Sequence, residues 1–300
     1  MIRIVFSLVL MPLARALSWR ASQRLGRWLG TLAWRVGKRD RQRILDHLAV
    51  AFPELDEARR EEMGRACAGH VFTCVTELLH AFGHPAEEVS RHAEIVGFDE
   101  IEKLREEERR IVLMTGHCGN WEMISAANIS HGLGLAAIAR RLDDDFSQQM
   151  IVDLRAHLGS ETIARGGKSS ARQMLKTLRR KGALALLIDQ DIRGADGVWV
   201  PFFGRLAHTP TAAAEIALRM DAAVVPTFSE RLADGSHRVT FHAPLDLPDD
   251  LLEATAIMTR AIEEQIRRQP EQWVWMHRRW RQQPTADDAE RVWRDDTLVS

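Results

Sequence analysis

The run Ile111-Val112-Leu113-Met114-Thr115-Gly116-His117-Cys118-Gly119-Asn120-Trp121-Glu122 decides how this chain is read. Its aliphatic opening, Ile111 to Met114, predicts a buried strand, and Thr115-Gly116 breaks it. His117 is thereby left at a strand's carboxyl end, where open α/β sheets hold their ligands. Gly119-Asn120 turns the chain again, and Trp121 to Asn128 predicts a helix with Asn120 as N-cap and Glu122 in its first turn. His117 and Glu122 are expected to meet there as a base and its partner. The His-x4-Glu spacing is weak alone, since 12 His and 42 acidic residues in 300 positions give about two such pairs by chance. Its place at a strand, turn and helix junction carries the weight.

The stretch Gly116 to Glu122 closely resembles the Gly-His-x-Gly-Asn-Trp-Glu block of the late acyltransferases of lipid A biosynthesis, the lauroyl and myristoyl transferases within the wider lysophospholipid acyltransferase group. Further blocks resemble that family in the same order: Ala51-Phe52-Pro53-Glu54-Leu55, Leu187-Ile188-Asp189-Gln190, Gly197 to Gly204, Ala207-His208-Thr209, and Pro270 to Trp280. The likeness spans nearly the whole chain. It implies an acyltransferase that moves a fatty acyl chain from acyl carrier protein or coenzyme A to a hydroxyl of a lipid A precursor or related glycolipid. His117 would be the general base and Glu122 its orienting partner. With the readings that follow, the substrate-binding candidates are Asn120, Arg140, Gly166, Asp189, Gln190, Phe203, Gly204 and Thr209. No metal and no cofactor is expected, because the acyl thioester is a co-substrate.

Two departures mark the turn Arg140-Arg141-Leu142-Asp143-Asp144, where Arg141 replaces the family's usual Pro and Asp144 its usual Asn. The Phe-Pro-Glu-Gly-Thr element of the glycerol phosphate branch is absent where Asp189-Gln190 stands, which disfavours that acceptor. Two other readings stand beside the first: acylation of a different membrane lipid, such as a mannosylated or aminoacyl lipid, and a non-catalytic membrane-binding scaffold. Intact His117 and Glu122 argue against the scaffold.

Composition bounds the rest. A 45% hydrophobic content over 300 residues is ample for a packed core and speaks against disorder. Three cysteines, Cys67, Cys74 and Cys118, are an odd number without ligand spacing, which favours a reducing compartment over a disulfide framework. The histidines at 70, 80, 84 and 92 are read as scattered, without i,i+4 metal spacing, and so as core or surface residues rather than metal ligands.

The formal charge of −1 hides an asymmetry, because residues 1 to 43 carry ten arginines and lysines against Asp40 alone. Such an end seeks anionic surfaces, here a membrane; no nucleic acid partner is expected. Met1 to Leu17 is interrupted by Arg3, Pro12 and Arg15, too short for the roughly 20 residues that span a bilayer. A cleavable signal peptide is also a poor fit, because no small-residue cleavage site follows. The next helix divides into an apolar face of Leu17, Ala21, Leu25, Trp28, Leu29, Leu32 and Val36 and a basic face of Arg20, Arg24, Arg27, Arg35 and Lys38. That is the pattern of a helix lying in the interface. Residues 1–38 are therefore expected to be a membrane-associated basic segment and 39–300 the acyltransferase domain. The expected location is the cytoplasmic face of the inner membrane, peripheral or monotopic.

Beyond the motif, strands and helices alternate. The expected fold is α/β, with a central mixed, mostly parallel sheet flanked by helices and with membrane-associated helices at the amino end. Strands are expected at Leu135–Ala139, Thr162-Ile163, Ala183–Ile188, Ala222–Phe228 and Arg238–Phe241, the last at an edge. Asp191 to His208 reads as a long loop whose Val198 to Phe203 portion lines a fatty-chain tunnel or rests on lipid. Thr209 or Thr211 is expected to cap the helix that follows. Gly166, in Arg165-Gly166-Gly167-Lys168, opens a basic helix suited to phosphate but lacks Walker spacing. The tryptophans from Trp273 to Trp280 read as a packing lid or an interfacial belt. Thioester chemistry needs a base, an oxyanion donor and exclusion of water. Arg140 and the backbone amides near Gly119-Asn120 are the expected oxyanion donors.

Overall fold

The structure is a computed structural model that describes residues 11–141 and 144–293. The apolar start at residues 1–10 and Leu142-Asp143 of the expected turn lie outside the described residues. Among the described residues four helices come first: α1 (Met11–Ala16), α2 (Trp19–Val36), α3 (Lys38–Ala51) and α4 (Glu57–Gly83). The short α5 (Ala86–Ser90) leads into β1 (Ala93–Val96), α6 (Phe98–Glu106) and β2 (Arg110–Thr115). After the motif come α7 (Ala126–His131), β3 (Leu135–Ala139), α8 (Asp145–His157), β4 (Glu161–Ala164), α9 (Gly167–Arg179) and β5 (Ala183–Leu187). Next are β6 (Gly197–Phe202), β7 (Arg205–Pro210), α10 (Ala212–Met220), β8 (Ala222–Arg231), β9 (His237–Phe241), α11 (Leu251–Arg268) and α12 (Ala286–Trp293).

Seven strands form the central sheet in the order β1-β9-β8-β2-β5-β3-β4. Only the β8–β9 pair is antiparallel, so the sheet is mixed and mostly parallel, as expected. Parallel neighbours need crossovers, and the helices that provide them cover the sheet's faces. In β2, alternate residues serve two cores. Val112 and Met114 join Leu184, Leu186 and Val224 on one face, while Ile111 and Leu113 join Ala183, Ala185 and Val225 on the other. A strand buried on both faces reads as an unbroken aliphatic run, which is why this stretch was legible.

Two expectations about strands give way. The segment expected as a loop contains the antiparallel β6–β7 hairpin, turned by Phe203-Gly204 with φ of 51° and 69°. Positive φ at both central positions is the two-residue turn that matches strand twist. β9 is not an edge, because β1 pairs with it from Ala93 to Val96. β1 itself has four residues in an exposed-intermediate alternation, too short and too polar to stand out.

Among the described residues no helix is long and apolar enough to cross a membrane. The packing of α2 is informative. Its contact with α4 runs through Gly26 and Gly30, where an added Cβ would stand 2.4 Å from Thr73 Cα and 2.5 Å from the Ala68 carbonyl oxygen. Glycine at both positions lets the two backbones approach this closely. The apolar stripe is thereby left over: Trp28 is 62%, Leu32 45% and Val36 69% exposed. Arg20, Arg24, Arg27 and Arg35 are exposed too.

Candidate active site

His117 follows β2, and Asp189 follows the adjacent parallel strand β5, so both stand at carboxyl ends of neighbouring strands. His117 is bound to Asp189 twice: its backbone N–H donates to Oδ2 at 2.7 Å, and ring Nδ1 lies 2.7 Å from Oδ1. The indole N–H of Trp273 also donates to Oδ2, at 2.8 Å. Burial opposes ionisation of Asp189, but the charge and hydrogen bonds of His117 outweigh it and hold the carboxyl below the ordinary carboxylate range. An ionised acid can only accept, so His117 Nδ1 carries the proton and Nε2 is left as the basic nitrogen.

Glu122 is not where the sequence reading put it. No hydrogen bond joins it to His117. Residues Trp121–Ser125 form a 3₁₀ turn that carries Glu122 inward, where it meets Arg155 of α8. Arg155 Nε donates to Oε2 at 3.0 Å and Nη2 to Oε1 at 2.7 Å, a two-pronged ion pair with both side chains buried. A guanidinium fork matches a carboxylate better than a single imidazole N–H does. The third nitrogen, Arg155 Nη1, is buried without a partner.

Asn120 makes no side-chain cap. Its Nδ2–H donates to Glu77 Oε2 at 2.9 Å, and Glu77 also receives hydrogen bonds from Arg231 Nη2 at 2.6 Å and Gln23 Nε2 at 2.7 Å. His237 Nε2 lies 3.2 Å away. His70 Nε2–H donates to the Gly119 carbonyl at 3.1 Å, leaving Nδ1 to accept from Arg231. Burial and the Arg231 charge hold His70 down to about 3, so it stays neutral and can do both. Gly119 has φ of 58°, and a Cβ there would lie 1.7 Å from the Ser229 carbonyl oxygen. Its N–H donates to the Gln272 carbonyl at 2.8 Å. A buried polar cluster thus fixes the turn after His117, and the Gly119 amide is spent.

A cavity of about 740 Å³ opens beside His117, within the range of roughly 300–1,000 Å³ usual for small-molecule sites. Its apolar wall comes from Ala137, Ile138, Met174, Leu186, Ile188 and Ile216. Arg140, Arg155, Arg165, Arg193 and Arg281 make the rest strongly basic. Gly166 and Gln190 line it as well, but Asn120, Phe203, Gly204 and Thr209 do not. Phe203 packs instead against Phe52 and Trp275, and its N–H donates to Glu263 at 2.6 Å. Thr209 lies in β7 and accepts from the buried Arg279, while Thr211 takes the N-cap position of α10, its carbonyl accepting from the Glu215 N–H at 2.8 Å and its hydroxyl donating to the Glu215 carboxylate at 2.7 Å. Trp273 and Trp275 are fully buried, so this part of the tryptophan cluster is core and not an interfacial belt. A second groove of about 780 Å³ between α2, α4 and β8 contains no part of the dyad.

Cys118 is buried, and burial first, then Asp189, pushes its thiol well above the ordinary value, which removes it as a nucleophile. The reading of the histidines as scattered needs correction, because His80 and His84 are four residues apart. With Glu88 they are the one group among the described residues whose ligand atoms come within 4.8 Å. Their rings stack with centroids 3.7 Å apart and planes 15° apart, so the nitrogen lone pairs run side by side instead of converging on one ion. Sequence reasoning also missed Arg155, Glu77 and His277, whose importance lies in contacts with residues tens of positions away.

Comparison with known proteins gives a consistent result. The family model described as bacterial lipid A biosynthesis acyltransferase matches residues 2–282. The chain is 26% identical to a lipid A biosynthesis acyltransferase of Haemophilus influenzae over 295 residues, covering 95% of this chain and 88% of that protein. It is 26% identical to the lipid A biosynthesis lauroyltransferase of Escherichia coli, covering 87% and 85% respectively. A phosphatidylinositol mannoside acyltransferase of Mycobacterium tuberculosis is 26% identical over 171 residues, 56% of this chain and 54% of that protein.

Proposed function

This chain belongs to the bacterial lipid A biosynthesis acyltransferases, and we propose that it moves a fatty acyl chain from a carrier-protein or coenzyme A thioester to a hydroxyl of a lipid A precursor or related glycolipid. The observation that carries this reading is the His117–Asp189 pair beside a cavity that is apolar along one wall and basic elsewhere. Apolar lining suits an acyl chain, and arginines suit phosphates or a carboxylate-rich carrier.

The chemistry follows from the atoms present. Nε2 of His117 takes the proton of the acceptor hydroxyl as its oxygen attacks the thioester carbon. Asp189 holds the ring with Nδ1–H inward and stabilises the imidazolium that forms. Collapse of the tetrahedral intermediate breaks the C–S bond, and the departing thiolate receives the proton from His117. Glu122 acts at one remove, holding Arg155 in the wall of the cavity.

The acceptor and donor are tested together by mass spectrometry of total lipids from cells with and without the protein. One lipid should differ by the mass of one acyl group. Identical lipid profiles, together with no transfer from either thioester to a lipid A precursor in vitro, would refute the reading. The similarity to a phosphatidylinositol mannoside acyltransferase makes a mannosylated acceptor the second one to try.

The exposed stripe of α2, flanked by exposed arginines, supports a place on an anionic membrane surface, which we assign to the cytoplasmic face of the inner membrane. Purified protein should sediment with anionic vesicles and be partly released by high salt. A Trp28→Ser, Leu32→Ser, Val36→Ser variant changes only exposed side chains and should lose most of that binding. Deleting the segment is a worse test, because it would uncover α4. Undiminished sedimentation of the folded triple variant would remove α2 from the membrane contact.

A further inference from the structure

The tetrahedral intermediate needs a hydrogen-bond donor for its oxyanion. We propose that Gln190 is a catalytic residue whose side-chain amide N–H is that donor, and that His277 is the positioning residue that aims it. The proposal rests on the acyltransferase reading of the same site.

The attacking hydroxyl must lie within hydrogen-bond reach of His117 Nε2, and the oxyanion is bonded to the same carbon that the hydroxyl attacks. A donor for it must therefore stand close beside the base. Two nearby backbone amides are engaged: the N–H of His117 is on Asp189, and that of Gly119 is on the Gln272 carbonyl. The Trp273 indole also points to Asp189. Arg155 lines the cavity, but no hydrogen bond or ion pair ties it to His117. Gln190 is different. Its Nε2 lies 3.2 Å from His117 Nε2, and it faces the cavity.

On its other side the same amide nitrogen lies 2.9 Å from His277 Nδ1. The rings of His117 and His277 are 4.6 Å apart and perpendicular, at 89°, with the amide nitrogen in contact with both. A carboxamide has two N–H bonds. His277 holds one and thereby fixes the direction of the other. That second N–H is directed at His117. When the acceptor hydroxyl takes over His117 Nε2, it is released to the developing oxyanion.

This arrangement requires His277 to accept, which only a neutral imidazole can do. Burial, aided by the charges of His117 and His47 and opposed by Asp189, pushes His277 down to about 4. Electrons and protons balance without a further reactant. The C–O bond forms as the carbonyl π pair moves to oxygen beside Gln190, and it returns as the C–S bond breaks. The proton taken by His117 leaves on the thiol.

Steady-state transfer from an acyl thioester to a glycolipid, with kcat and KM separated and thermal melts as a check on folding, tests this. Gln190→Met keeps the side chain's length and removes the donor, and Gln190→Glu replaces the donor with an acceptor. Each should lower kcat roughly 10²–10³-fold, the usual loss for one oxyanion donor, with KM within about twofold. His277→Phe should lower kcat about tenfold, while His277→Asn, which restores an acceptor, should recover to within about threefold of the unaltered protein. Gln190→Met with unaltered kcat, or with raised KM alone, overturns the oxyanion assignment. Equal losses in His277→Asn and His277→Phe overturn the aiming role. His117→Ala, run alongside, separates the two levels. If it is inactive while Gln190→Met is fully active, the proposal fails and the acyltransferase reading stands; if it is fully active, the reading of the site fails first.

Discussion

Asp189→Ala should lower single-turnover acyl transfer roughly 10²–10⁴-fold, nearly as far as His117→Ala, because a base without its orienting acid loses both its tautomer and its stabilised cation. The two residues are expected to act as one unit through the 2.7 Å contact between Nδ1 and Oδ1. Once His117 is gone Asp189 has nothing to orient, so the double variant should be barely worse than His117→Ala alone. Glu122→Ala should behave otherwise. Its carboxylate holds Arg155 and not the base, so its loss should multiply with that of His117 instead of being absorbed by it. Asp189 also receives the Trp273 indole N–H, so each variant must be shown to fold by circular dichroism. A folded Asp189→Ala protein within a few-fold of full activity would dissolve the dyad.

The second large effect is on stability. Glu77→Ala should destabilise the fold by about 3–5 kcal/mol, the usual cost of removing one partner from a buried ion pair, because Arg231 is left charged and buried. At about 2–4 °C per kcal/mol for a chain approaching this size, the melting temperature should fall by roughly 6–20 °C. A pH signature accompanies it. Burial works against the charged form of Glu77, yet His237 and Arg231 prevail and hold its carboxyl below the ordinary range. A carboxyl with a lower pKa folded than unfolded contributes stability that is complete above the unfolded value near 4.3 and is lost as pH falls below it. Urea titrations at pH 7 and in the acid range should therefore show a smaller acid loss for Glu77→Ala than for the unaltered protein. A melting temperature within 2 °C of the unaltered protein would mean that the cluster around Glu77 is dispensable.

What could be read in advance depended on how local each feature is. β2 was legible because four consecutive aliphatic residues fill both faces of a buried strand, and the glycines after it announce their own turns. The β6–β7 hairpin was concealed by Pro201 and Phe203. Proline is tolerated in a two-stranded ribbon, and phenylalanine is an unusual residue at positive φ. His117 and Asp189 were both marked, but the sequence paired His117 with Glu122, five residues on, when its hydrogen-bond partner is Asp189, 72 residues away. Chain proximity is a poor guide when a 3₁₀ turn rotates the near carboxylate into the interior and a parallel neighbour strand brings in a distant one. Arg155 gave no signal, being a single arginine in a helix whose neighbour Leu154 is equally buried. The exposed apolar stripe of α2 was legible as a pattern, but the glycine face that docks on α4 was not.

The Trp19 indole N–H donates to the Gly235 carbonyl at 2.9 Å, and Gln23 Nε2 reaches the same oxygen at 2.6 Å, joining the amino-terminal helix to the β8–β9 turn across more than 200 residues of chain. A ribosome making this protein releases α2 and α4, its glycine-packed neighbour, long before that turn exists, so the two helices can pair while the tie to Gly235 waits for the sheet. Contacts of such long sequence separation are slow to close. Pairing of the two helices is therefore local in the chain, and their fastening to the β8–β9 turn is among the last contacts the fold can make.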